Sequence, residues 1–124
     1  MKSLLSWKIC AIAVCLGAGI TLSRLHAADH DADQQKTLKG EIVDLMCYLD
    51  HGAKGDGHKG CAGKCLKSGG PVGLLVGDQV YLVVGDHKPM NDELAGKAAE
   101  TVTLKGKVVE KSGMKMIENS QIVE

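Results

Sequence analysis

Apolar and polar residues alternate in five stretches with the period of two that a half-buried strand needs. The first covers residues 37–48, where Leu38, Ile42, Val43, Leu45 and Met46 are apolar and the alternation slips near Asp44, so a bulge or bend is expected there. Val72–Val76 and residues 80–84 form a second and third strand joined by Gly77-Asp78-Gln79, a hairpin signal. Residues 102–110 and Met114–Val123 form a fourth and fifth, joined at Ser112-Gly113. Between the first two strands, residues 51–60 carry four glycines, a run too costly in backbone entropy for regular structure. Residues 58–67 predict a short helix that stops at Ser68-Gly69-Gly70. Asn91 is placed to cap a helix that opens Asp92-Glu93-Leu94 and runs to about residue 99, with an acidic first turn that suits the helix dipole.

Five strands with a helix before the fourth are the order of an OB-like β-barrel, in which the first and fourth strands lie side by side. Those two strands echo each other: Thr37-Leu38-Lys39-Gly40-Glu41-Ile42-Val43-Asp44 returns as Thr103-Leu104-Lys105-Gly106-Lys107-Val108-Val109-Glu110. Each places a glycine where a barrel strand bends sharply. From Leu38 to Val123 the chain resembles small exported bacterial proteins with an OB-like barrel and no assigned function. The openings LKGEIVD and LKGKVVE, the ending GMKMIENSQIV and the stretch MCYLDHGAKGDGHKGCAGKC carry that resemblance. It implies fold and export, and assigns no chemistry.

The chain's start changes the composition that matters. Lys2 and Lys8 precede an apolar or small stretch over residues 9–22, followed by small-residue cleavage sites around Ala27 and Ala28. Residues 1–27 therefore read as a secretory signal peptide, because the stretch is short for a membrane span of about 20 residues. An uncleaved anchor is the alternative. A lipoprotein box at Cys15 is a poor fit after Ala13-Val14. Cleavage after Ala27 leaves 12 basic and 15 acidic side chains, a net charge of −3, with no Trp and no Phe. The expected product is an exported domain, periplasmic or extracellular, with no membrane association after cleavage. Residues 28–36 read as a flexible acidic tail and residues 37–124 as the barrel. Asp29, Asp31 and Asp33 imitate a calcium loop, but Gln34 and Gly40 stand where such a loop needs Gly and Glu.

Cleavage also removes Cys10 and Cys15 and leaves Cys47, Cys61 and Cys65, an odd number for an exported chain. These three, with His51 and His58, lie within 19 residues. The spacing His58-x2-Cys61-x3-Cys65 puts three ligand-type side chains on one helix face, and the glycine loop can return Cys47, at the end of the first strand, toward it. Three thiolates and one imidazole suit zinc in a tetrahedral site, and thiolates also suit copper(I). Two other readings stand beside this metal site. A disulfide from Cys47 to Cys61 or Cys65 would tie the glycine loop to the barrel, worth about 3 kcal/mol for a loop of about 15 residues. Alternatively Cys61 or Cys65 is a working thiol, although the C-x-x-C pair of such redox proteins is missing.

Other candidates are weaker. If the mature chain begins Ala28-Asp29-His30, its amine, two amides and third-position imidazole can hold copper(II) or nickel(II) in a square plane. His87 sits in a Gly-Asp-His-Lys-Pro loop expected at the surface. Met114 and Met116 share a strand face, which fits core packing better than a copper(I) patch. Gly52, Gly55 and Gly57 lack the Gly-Lys-Ser/Thr ending of a phosphate loop. With only Tyr48 and Tyr81 as mature aromatics and a negative charge, nucleic acid is not expected as a partner, while a protein or peptide partner of a disulfide-stapled module stays open. No Ser-His-Asp order, carboxylate pair or cofactor fingerprint stands out, so the reading leans away from an enzyme and toward an exported metal-binding protein.

Overall fold

The structure, a computed structural model, describes residues 35–123. The segment read as a signal peptide, the Ala28-Asp29-His30 motif and most of the segment read as an acidic tail lie outside the described residues. Five strands, β1 (Gln35–Asp44), β2 (Val72–Val76), β3 (Gln79–Val83), β4 (Thr101–Lys111) and β5 (Met114–Val123), close into a barrel in the order β1-β2-β3-β5-β4. All neighbours are antiparallel except β3 and β5, which meet in parallel at Leu82↔Met116 and Val83↔Ile117 and complete the closure. The OB-like, mainly β architecture expected from the alternation is therefore the one found.

The echoing strands are indeed partners. Leu38 faces Leu104 across β1 and β4, so the two copies of the repeated segment are related by a local two-fold axis through that pair. Each glycine sits where the strand's other neighbour crosses closely. A Cβ on Gly40 would run into the backbone of Leu75 on β2, and one on Gly106 would lie 2.7 Å from the Glu118 carbonyl oxygen and 2.8 Å from Ile117 on β5. The β4–β5 register shifts between Lys105 and Lys107, around Gly106, as a bulged, strongly bent strand requires. Ser112 and Gly113 both take positive φ (53° and 81°), the backbone that a tight β4–β5 hairpin demands.

Ile42, Leu74, Leu104 and Ile117 are fully buried inside the barrel. One end is closed by helix α2 (Lys59–Lys67), which buries Ala62 and Leu66, and by the short helix α3 (Asn91–Leu94), with Leu94, Ala95 and Ala98 beside them.

Five expectations need correction. The first strand ends at Asp44, and residues 45–48 belong to a helix, α1 (Leu45–His51). Asp44 is its N-cap, with Oδ1 accepting from the Met46 N–H at 3.3 Å, so the slip in alternation marks a helix start and not a bulge. The first strand also begins two residues early, at Gln35, inside the segment read as tail.

Asn91 does not cap its own helix, whose N-cap is Met90. Its Nδ2 donates instead to the carbonyls of Leu66 (2.6 Å) and Gly70 (2.7 Å), at the end of α2. That helix is short as well: a 3-10 turn takes over at Ala95–Lys97, and Ala98 (ψ 134°) and Ala99 (φ 62°) are no longer helical. Finally, Met114 and Met116 share a face, but the outer one. Met114 is 68% exposed and Met116 half-buried, because Ile117 between β4 and β3 takes the inward direction.

Candidate metal centre

The glycine-rich segment returns the chain onto itself in three steps. Gly52 ends α1 in the left-handed conformation (φ 71°), and its N–H bonds back to the Tyr48 carbonyl at 2.8 Å. Gly55 turns the chain again with φ 74° and ψ −178°, a conformation that glycine alone adopts readily, and its N–H is held by the Glu41 carboxylate on β1. A 3-10 turn at Asp56–His58 then leads into α2. The segment between α1 and α2 is thus defined by two glycine turns and one anchor to the barrel.

The consequence is that two groups of donors converge on Cys47. On α1, Cys47 and His51 stand four residues apart and so share a helix face. With His58 at the end of the 3-10 turn, their ligand atoms lie within 4.8 Å of one another. On the other side, Asp44, Cys47 and Cys65 form a second group within the same distance. Cys47 is the donor common to both. Asp44 is only 2% exposed and Cys47, His58 and Cys65 are half-buried, while His51 is open to solvent. The His51 and His58 rings meet edge to face with centroids 6.1 Å apart.

The electrostatics follow from Asp44. Its carboxylate is within hydrogen-bonding reach of the Cys47 thiol, and that contact, with loss of solvent and the charges of Asp44 and the neighbouring cysteines, pushes Cys47 up to about 12 from an ordinary 9.0. The Cys65 thiol is also raised, mainly by loss of solvent and then by Asp44 and Cys61. Both are protonated thiols at neutral pH. His51 Nδ1 meets the Asp50 carboxylate at 3.1 Å. His58 Nε2 is buried without a hydrogen-bond partner. An unsatisfied buried polar atom of this kind costs about 1–3 kcal/mol, so it calls for an occupant or a reason.

Of the predicted ligands, the structure brings together Cys47, His51 and His58, and separately Cys47 and Cys65. Cys61 is exposed and belongs to neither group, although it lies within hydrogen-bonding reach of Cys65. Cys47, Cys61 and Cys65 are free thiols. His87 lies in an exposed turn with φ 50° and also stands apart. Asp44 is the donor that sequence reasoning missed. Its signal was the break in alternation three residues before Cys47, which as a helix cap places its carboxylate over the first turn.

These groups could bind a metal ion, and their thiol and imidazole donors fit zinc or copper(I) better than they fit calcium or magnesium. No protein-family model, curated protein or solved structure matches the chain. Among the described residues, no helix is long and apolar enough to cross a membrane.

Proposed function

We propose that this is an exported metal-binding protein that holds zinc or copper(I) at Cys47, His51 and His58, with Cys65 as a further sulfur donor beside Cys47. One observation carries the reading: one ligand atom from each of Cys47, His51 and His58, of chemistry suited to zinc or copper(I), lies within 4.8 Å of the other two. The His58 ring also carries a buried Nε2 with no hydrogen-bond partner. Asp50, which meets His51 Nδ1, would orient the ring as carboxylates orient metal-binding histidines. Binding would displace the thiol protons, since the thiolate is the metal ligand.

The test is competition of the reduced full chain with a chromogenic chelator for zinc ion and, anaerobically, for copper(I) ion. Stoichiometric binding that Cys47→Ser and His58→Ala each weaken by roughly 100-fold or more is expected, beyond the ~10–100-fold cost of losing an outer-shell partner. Failure of the wild-type chain to compete for either ion, or a Cys47→Ser chain that binds like wild type, would overturn the reading.

A further inference from the structure

We infer that Cys47 and Cys65 form a reversible disulfide that switches the metal site off. The inference rests on the metal-binding reading and adds its regulation. Its basis is the sharing of one sulfur. Cys47 is the donor common to both groups, and its Sγ lies within 4.8 Å of the Cys65 Sγ. The two thiols come from different helices, α1 and α2, joined through the glycine loop. A disulfide needs its sulfurs about 2 Å apart, so the bond draws the two half-buried side chains together from within 4.8 Å. Once bonded, Cys47 has no thiolate to offer, and both donor groups lose their common member.

Cys61 is the wrong partner for this bond. It stands four residues before Cys65 on the same helix, where Cβ atoms are about 5–6 Å apart. A disulfide holds them at about 3.5–4.5 Å, so a Cys61–Cys65 bond would distort α2. Cys61 is also exposed and absent from both groups, so a mixed disulfide of Cys61 with glutathione would leave every donor of both groups in place.

The reaction is a thiol–disulfide exchange with a small-molecule disulfide such as oxidised glutathione. A thiolate from Cys47 or Cys65 attacks one glutathione sulfur, and one glutathione leaves. The second protein thiolate then attacks the mixed disulfide and releases the other. Two electrons pass from the protein thiols to glutathione, and the two thiol protons finish on the two glutathione thiols.

The experiment takes the full chain, metal-free, as wild type, Cys61→Ser and Cys65→Ser. Each is incubated with oxidised glutathione, mapped by intact mass and peptide mass after alkylation, and then titrated with zinc ion. Wild type and Cys61→Ser should each yield a Cys47–Cys65 crosslinked peptide pair two hydrogens lighter than the two reduced peptides. Both should lose measurable zinc binding and recover it with dithiothreitol. Cys65→Ser should form no internal crosslink. A crosslink mapping to Cys61, or oxidised protein that binds zinc as tightly as reduced protein, overturns the switch while leaving the metal site standing. Reduced protein that binds no zinc removes the metal reading, and the switch with it.

Discussion

Ile42, Leu74, Leu104 and Ile117 are sealed inside the barrel, whereas helix α1, attached directly to β1, buries none of its seven residues and leaves Met46 and Leu49 65% and 67% exposed. Barrel strands pair along nearly their whole length and fill a common core. The segment from α1 to the end of the glycine loop is held by a few point contacts: the Asp44 cap, the Gly52 turn and the Glu41 carboxylate on the Gly55 N–H. Beyond that segment, α2 reaches the core through Ala62 and Leu66. Stability and chemistry are thus spatially divided. The closed sheet supplies a platform that does not depend on the cysteines, and the segment on top can carry an unsatisfied imidazole and protonated thiols because the platform tolerates their cost.

The sharpest way to break this division is to damage the platform. Leu104→Ala removes a fully buried side chain at the β1–β4 two-fold and should cost about 2–5 kcal/mol in urea unfolding. The zinc affinity of the molecules that remain folded should not change. A matching loss of affinity would mean that the core shapes the site and that the division is false.

Asn91→Ala tests the junction between the two regions. It deletes both hydrogen bonds to the end of α2 and should cost about 1–3 kcal/mol, seen as a lowered urea midpoint. Because α2 carries Cys65 but not His51 or His58, zinc binding should fall modestly at most. Loss of binding as complete as in Cys47→Ser would show that α2 positions the whole site.

The smallest effect expected is a pH effect on the metal-free protein. Cys47 holds its proton up to about 12 in the folded state against an ordinary 9.0, and Cys65 is shifted in the same direction. Below pH 9 both folded and unfolded chains carry the proton, and the contribution to stability is fully present. Between pH 9 and about 12 the unfolded chain releases its proton first, so stability falls as pH rises. Thermal melts of reduced protein across pH 9–11 should show a steeper decline for wild type than for Cys47→Ala. Parallel curves would mean that Asp44 does not hold the thiol.

The same division decides what was legible in the sequence. Leu38, Ile42, Leu104 and Ile117 announce their strands because burial on one sheet face imposes alternation, and the echoed glycines mark the two strands that pair. The site segment has no such periodic constraint. Leu45 and Met46 continue a strand-like apolar run, so α1 was hidden, although Asp44 before it is a good helix cap. Proximity in sequence gathered Cys47, His51, His58, Cys61 and Cys65, of which all but Cys61 fall in the two donor groups. It could not say that a left-handed Gly52 and a Gly55 turn swing His58 toward Cys47 and leave Cys61 facing outward. Asn91 was misplaced because its side chain can both accept at a helix start and donate at a helix end, and only the packing of α2 decides which.

The central claim is that the metal centre is built around Cys47 with two imidazoles. X-ray absorption at the zinc edge of the loaded full chain tests it most directly. The account predicts a shell that mixes imidazole nitrogen with sulfur, loses nitrogen in His58→Ala, and is unchanged in Cys61→Ser. A shell of three sulfurs and one nitrogen that loses a sulfur in Cys61→Ser would contradict it, and would place the metal on the α2 face that the cysteine spacing alone suggests.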